Sequence, residues 1–350
     1  MDEFEIIRRY FAGLTKAQRG DVSLGIGDDA ALLHPLPGHE LVVTTDTLVA
    51  DHHFFWDADA YGIGWKSLAV SLSDLAAMGA TPQWFLLNLT LPEANPAWLK
   101  DFARGLKDMA DQHGIQLVGG DTTHGPMSIT VTAFGSVQAG TALRRKGAKP
   151  GDLICVTGSL GDAALALRIQ QIKRNAEQEA TGMRKLFRRR SDAANRIENG
   201  FSLNSEPSEH DMAALRERLE RPIPRIAAGL LFHEYATASI DLSDGIAGDL
   251  HHILDASGVG ADIWMDRIPA SDVFNRVAPQ GFRHQLQLAG GDDYELCVCL
   301  PADSVGEVRR KLGILPLAMI GRVSEKPGLR FMGDKGVVLP LKFTGFRHFQ

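Results

Sequence analysis

Six short motifs, spread from Gly25 to Glu295, set aspartates beside glycines or at the ends of apolar runs. They are Gly25-Ile26-Gly27-Asp28-Asp29-Ala30, Thr44-Thr45-Asp46-Thr47, Leu72-Ser73-Asp74-Leu75, Gly119-Gly120-Asp121-Thr122-Thr123, Asp241-Leu242-Ser243-Asp244-Gly245 and Gly290-Gly291-Asp292-Asp293-Tyr294-Glu295. Carboxylates are rarely buried unless they are paired or metal-bound. Yet Leu41-Val42-Val43 runs straight into Thr44, and Leu117-Val118 into Gly119. These acids therefore fall at strand ends, where the ligand sites of α/β sheets form. Gathered together they would repel one another. Hard divalent cations, bound by carboxylate oxygens and threonine hydroxyls, remove that cost, and magnesium completes its shell with water and phosphate oxygens. Singly, each motif has a plainer reading, Asp29 as a turn residue, Asp46 as an Asx-turn and Asp74 as an exposed helix residue. Asp74 resists that reading, because Leu72, Leu75 and Met78 make its helix mostly buried. As a set, the motifs predict a fold that brings several segments to one phosphate-handling site with several metal ions.

Two other phosphate signatures fail on inspection. Gly25-Ile26-Gly27-Asp28-Asp29-Ala30 has the spacing of a dinucleotide fingerprint, but it puts two carboxylates where a pyrophosphate must approach, and no helical periodicity follows. Gly64-Trp65-Lys66-Ser67 resembles the end of a P-loop, but Trp65 stands where glycine is required before the lysine. There is no Walker A motif.

The 350 residues suggest two domains. A net charge of −6 lacks the basic excess of a nucleic-acid-binding chain. Cys155, Cys297 and Cys299 lie in apolar strand-like runs without a CxxC, which predicts buried reduced thiols rather than zinc or disulfides. The acidic start of the chain is not a signal peptide, and no apolar run reaches the ~20 residues of a membrane span. A cytoplasmic protein is expected.

Periodicity predicts a helix over 3–11, a strand over 41–45, and a helix from Asp57 or Asp59 to about Met78. A strand over 83–91 follows, then a helix over 96–113 closed by Gly114, and strands over 115–118 and 127–137. The turn-rich stretch 140–150 marks the boundary between a domain over 1–145 and one over 146–350. Beyond it, strands at 153–157, 236–240, 261–264, 294–300 and 317–323 alternate with helices at 161–172, 245–257 and 305–312. Residues 173–210 break the pattern and read as a polar insertion whose basic run, Arg184 to Arg190, is a solvated face.

The ordered set GIGDDAAL, TTDTLVADHHF, SLSDLAAMGATP, GGDTT, GAKPGD, IDLSDG and GGDDYEL resembles the thiamine-monophosphate kinase family. That family belongs to the aminoimidazole ribonucleotide synthetase-like superfamily, and the resemblance covers nearly the whole chain outside 173–210. It implies a mixed α/β (α+β) fold of two domains, with an N-terminal mixed sheet that forms a homodimer and a C-terminal α/β sandwich. It also implies transfer of the ATP γ-phosphate to thiamine monophosphate, direct and in line, with several Mg²⁺ ions.

Residue by residue, the resemblance assigns Asp29, Thr44, Thr45, Asp46, Asp74, Asp121, Asp241 and Asp244 to magnesium. It assigns Gly120, Asp121, Arg145 and Ser243 to ATP, and His53, Asp292 and Phe346 to the acceptor. Asp46, Asp121, Arg145 and Asp241 are the expected catalytic set. Two positions depart from the family pattern: Asp292 stands for the usual glutamate, and Phe346 for the usual Trp or Tyr. Related synthetases that need a reactive cysteine near either end are excluded by the cysteine positions. A purine cyclo-ligase-like enzyme and a non-catalytic nucleotide sensor are the alternatives.

Overall fold

The computed structural model describes residues 1–15, 19–180, 200–333, 336–341 and 343. The basic run Arg184 to Arg190 and Phe346 lie outside them. Helix α1 (Glu3–Ile6) continues as a π turn over Ile7–Phe11, and a small hairpin follows, β1 (Val22–Leu24) with β2 (Leu32–Leu33). The first large unit is β3 (His39–Val49), α2 (Ala60–Ala77), β4 (Thr81–Leu91), α3 (Pro96–His113), β5 (Gln116–His124) and β6 (Ser128–Gln138). Its strands form a four-stranded sheet in the order β3-β6-β4-β5, antiparallel except for β4 with β5. Asp59 caps α2 by accepting the Gly62 N–H, and Asn95 caps α3. Gly114 closes α3 in the left-handed conformation, as expected from sequence.

Helix α2 is buried nearly all round. It lies between the sheet, helix α3 and the second unit, so no face of it needs to be polar. Its contact with α3 is backbone to backbone. A Cβ on Gly64 would sit 2.1 Å from the Phe102 carbonyl oxygen, and one on Gly105 1.9 Å from that of Tyr61.

After 139–152, which contains no helix or strand, come β7 (Leu153–Thr157), α4 (Asp162–Ala180), α5 (Glu209–Glu220), α6 (Ile226–Phe232), β8 (Ala238–Asp241), α7 (Ile246–Ser257), β9 (Gly260–Trp264), α8 (Asp272–Val277), α9 (Arg283–Ala289), β10 (Leu296–Leu300), α10 (Val305–Leu312), β11 (Leu317–Ser324), β12 (Gly328–Met332) and β13 (Val338–Leu339). Their sheet runs β13-β12-β9-β11-β7-β10-β8. It is covered on both faces, which explains the unbroken apolar runs of its central strands. Cys155, Leu296 and Val298 face a core shared with Leu68, Leu72 and Leu75 of α2. Ile154, Val156, Cys297 and Cys299 face a second core under α7. One hydrophobic core therefore crosses the junction between the units. The three cysteines are buried free thiols.

Several boundaries differ from the sequence reading. Helix α4 continues to Ala180 instead of stopping at Ile172, because residues 173–180 are mostly good helix formers. The expected insertion thus begins as an extension of a core helix. Thr44 to Thr47 and Gly119 to Thr123 are strand interior rather than strand-end loops. Gly120 permits this in β5: at φ 141° its backbone approaches β4 so closely that a Cβ would lie 1.8 Å from the Leu87 carbonyl oxygen.

Candidate active site

Three motifs meet along α2. Strand β3 turns Thr44 and Asp46 toward the helix, with Leu48 beyond them in the same alternation. Ser71 Oγ donates to Asp46 Oδ2 at 2.7 Å, Thr44 Oγ1 donates to Asp74 Oδ2, and Ser73 Oγ donates to Asp241 Oδ2 at 2.8 Å. Asp241 ends β8 in the second unit, so the last of these bonds joins the two halves of the molecule. Asp241 and Asp249 are buried, and the Asp244 backbone N–H donates to Asp249 Oδ2 at 3.1 Å.

The electrostatics follow from crowding carboxylates into a place with little water. Burial and the neighbouring Asp74 charge push the Asp46 carboxyl up to about 6, against the pull of Ser71. Burial and Asp244 raise Asp249 to about 7. Asp241 is pushed well up by burial and then by Asp74, and Asp74 itself is raised by burial while Thr44 and Arg145 draw it down. Arg145, exposed before β7, thus projects its charge onto Asp74 and Asp249. Among the described residues no three Asp, Glu, His or Cys side chains converge closely enough to enclose a metal ion by themselves. Thr44, Asp46, Asp74 and Asp241 offer oxygen donors only, the chemistry that suits a magnesium taking most of its shell from water and phosphate.

The other expected ligands are placed differently. In β3 the side chains alternate, so Thr45 and Thr47 lie on the outward face, bonded across to Thr132 and Thr130 of β6 at 3.0 and 2.8 Å. Asp121 pairs in register with Asn88, which pairs with Thr130, so it shares that outward face. Asp29 lies on the exposed turn between β1 and β2, where its N–H donates to the Asp28 carboxylate at 2.9 Å. Within one chain, Thr45 and Asp121 thus face away from Asp46, and none of the described contacts of Asp29 reaches the cluster. The Ser243 carbonyl accepts the Asp292 N–H at 2.8 Å, tying two of the motifs together.

Beside the aspartates opens a cavity of about 190 Å³ whose walls include His53, Phe54, Phe55, Ile63, Lys66 and Asp292. The Val49 N–H donates to His53 Nδ1 at 3.0 Å, so the neutral ring carries its proton on Nε2. In the Asp292-Asp293-Tyr294-Glu295 segment only the first acid faces the cavity. Asp293 accepts the Gly161 N–H at 2.9 Å. Glu295, fully buried, accepts from Arg218 at 2.8 Å, Arg225 at 2.6 Å and Thr157 at 2.7 Å. Burial alone would raise Glu295, but the two guanidiniums hold it below the usual carboxylate range. Tyr294 stands between cavity and cluster: its ionisation is opposed by burial and then by Asp292, Asp46 and Asp241.

Sequence reasoning missed Ser71, Ser73, Lys66 and Asp249. The first three were legible as polar residues in an otherwise apolar helix. Lys66 was seen only as part of a failed P-loop motif. Asp249 carried no signal beyond lying five residues after Asp244.

A two-sheet fold with acidic residues at the junction defines a class. Residues 27–137 match AIR synthase related protein, N-terminal domain, and residues 149–334 match AIR synthase related protein, C-terminal domain. The thiamine-monophosphate kinase of Salmonella typhimurium is 41% identical over 350 residues, covering 99% of this chain and 98% of that protein. The crystal structure of the thiamine-monophosphate kinase from Stenotrophomonas maltophilia superposes with a TM-score of 0.80 at 41% identity, covering 97% of this chain and 98% of that one. AaThiL complexed with AMPPCP and TMP superposes with a TM-score of 0.71 at 27% identity, covering 93% and 92%. Within the AIR synthase related proteins, this chain belongs to the thiamine-monophosphate kinase family.

Proposed function

We propose that the chain transfers the γ-phosphate of ATP to thiamine monophosphate, giving thiamine diphosphate and ADP. The observation that carries this reading is an adjacency through Tyr294: Lys66 of the cavity wall lies 5.9 Å from its ring, and Asp292 of that wall acts on it together with Asp46 and Asp241 of the aspartate cluster. An acceptor in the cavity and a nucleotide at the aspartates would be neighbours. Thr44, Asp46, Asp74, Asp241 and Asp244 would hold magnesium. Bound there, the ions would neutralise the phosphates of both reactants and let them approach.

The protein's own part is positioning. Ser71 and Ser73 fix two carboxylates, and His53 is held by the Val49 N–H. Arg145, whose charge acts on both Asp74 and Asp249, would meet the charge of a phosphate in transit. An acceptor phosphate with a second pKa of about 6 is ionised at neutral pH. Transfer is therefore direct and in line, without a phosphoenzyme or a dedicated base.

The same reading includes a homodimer formed through the first sheet. Leu41 and Val43 are 46% and 55% exposed on the outward face of β3, beside the threonine pairs. Pairing two such faces would bury them and carry Thr45, Gly120 and Asp121 toward ATP near the interface. Three buried free thiols support action in the cytoplasm. No helix among the described residues is long and apolar enough to cross a membrane.

The test is ADP release by the full chain with ATP and Mg²⁺, with and without thiamine monophosphate. Release should depend on the acceptor, disappear in Asp46→Ala, and invert configuration at a chiral γ-phosphate. ATP binding without acceptor-dependent ADP release would overturn the reading.

A further inference from the structure

Lys66 is 4% exposed within the buried length of α2. Its Nζ lies 2.7 Å from Asp292 Oδ1 and 5.9 Å from the centre of the Tyr294 ring. Both partners hold conformations that L-residues avoid, with φ of 62° at Asp292 and 48° at Tyr294. The strain is imposed from outside: the Asp292 and Tyr294 N–H groups donate to the Ser243 and Leu242 carbonyls, each at 2.8 Å. The Tyr294 ring packs against Leu48, Val70 and Phe54, but packing alone does not call for the Lys66–Asp292 charges. A buried ion pair gives little stability compared with apolar side chains of the same volume. Left-handed residues outside glycine gather at ligand sites, where the surroundings overdetermine them.

The Asp292 side chain is 26% exposed, and it lines the cavity together with Lys66, His53 and Phe54. One wall therefore offers a positive and a negative group that neutralise each other. A purely anionic or purely cationic ligand could satisfy only one of them and would leave the other charge unpaired. A ligand that carries both charges satisfies both. Lysine suits such an exchange better than arginine, because its compact charge rides on a flexible stem. Ser73 and Asp74 lie about two turns further along α2, on the order of 12 Å. A phosphate drawn to Lys66 is thus held on the helix that leads to the aspartates.

We propose that Lys66 and Asp292 form an exchangeable ion pair that recognises the acceptor as a zwitterion: the cationic ring takes the Asp292 carboxylate, and Lys66 Nζ takes the acceptor phosphate. The proposal rests on thiamine monophosphate being the acceptor. It makes Lys66 a substrate-binding residue and explains how a pocket can prefer the phosphorylated ligand before any metal contact.

The test is calorimetric titration of the full chain and of Lys66→Met with thiamine monophosphate, unphosphorylated thiamine and a non-hydrolysable ATP analogue. Lys66→Met should weaken thiamine monophosphate at least about tenfold, the scale of one charge-assisted contact. Thiamine, which keeps the cation and lacks the phosphate, should bind as before or more tightly, and the ATP analogue should bind unchanged. Asp292→Asn should weaken both thiamine ligands. An equal loss for thiamine and thiamine monophosphate in Lys66→Met, or no loss for either, overturns the proposal. If Lys66→Met does not fold, the Lys66→Met/Asp292→Asn double variant, which removes both charges, carries the same comparison. There the preference for thiamine monophosphate over thiamine must fall, and an unchanged preference refutes the exchange. Acceptor-dependent ADP release by the unaltered chain is read separately. If it is present while the Lys66 prediction fails, the kinase reading stands without this inference; if it is absent, the kinase reading itself falls.

Discussion

Glu295 and Asp292 are three residues apart in one acidic motif and do opposite work. Asp292 is presented to the cavity, whereas Glu295 is withdrawn from water and clamped by Arg218, Arg225 and Thr157. The clamp anchors the strained Asp292–Tyr294 turn to the second sheet. Glu295→Gln leaves two guanidiniums without their anion and should cost about 3–5 kcal/mol, the usual result of breaking one side of a buried pair. Urea unfolding at neutral pH measures it. The pH dependence has a definite sign. Glu295 is held below its ordinary 4.5, so its contribution is fully present above 4.5 and is lost as pH falls through its folded value. Acid unfolding of the variant should accordingly show a shallower dependence on pH below 4.5 than the unaltered chain.

At the scale of elements, α2 organises the site. It contributes Lys66 to the cavity wall, Ser71 to Asp46, Ser73 to Asp241, and Asp74 to Thr44. Those groups are useful only while the helix holds its place to a fraction of an ångström. The Gly64–Gly105 crossing sets that place, because the two backbones touch with no side chain between them. Gly105→Ala must push the helices apart and should destabilise the fold by about 1–3 kcal/mol, the range for overpacking. Thermal melting reads that loss. Turnover should fall further than the melt implies, because every group on α2 moves together. A Gly105→Ala variant with unchanged stability and turnover would contradict this account of the helix.

For the whole molecule, the outward face of the first sheet is the feature a single chain does not explain. It exposes Leu41 and Val43 beside threonine ladders, and it carries Thr45 and Asp121 away from Asp46. The proposed pairing with a second copy would account for both facts. On the proposed dimer, Val43→Glu should give a monomer in light scattering and reduce turnover, while the monomer keeps its helical and sheet content by circular dichroism. A chain that scatters as a monomer before any substitution would remove this explanation.

The amino-acid sequence by itself determined most of the elements and the chemistry expected of the site. Helix α3 with its Gly114 close, five of the seven strands of the second sheet and the oxygen-donor character of the aspartate motifs follow from local rules. So does the presence of Asp46, Asp74 and Asp241 among the candidates. The tertiary structure decided which face each candidate serves. Thr44 and Thr45 are neighbours in sequence and equally good ligands, but strand alternation sends one to Asp74 and the other to Thr132. Gly119-Gly120-Asp121 reads as a loop until a glycine lets β5 press against β4 and the strand runs on to His124. Lys66 has no meaning beside Trp65 and Ser67; it gains one only when the chain folds Asp292, more than two hundred residues away, to within 2.7 Å of it. Local propensity and pattern act over a few residues, whereas the sharing of charge in a site depends on distances that only packing sets.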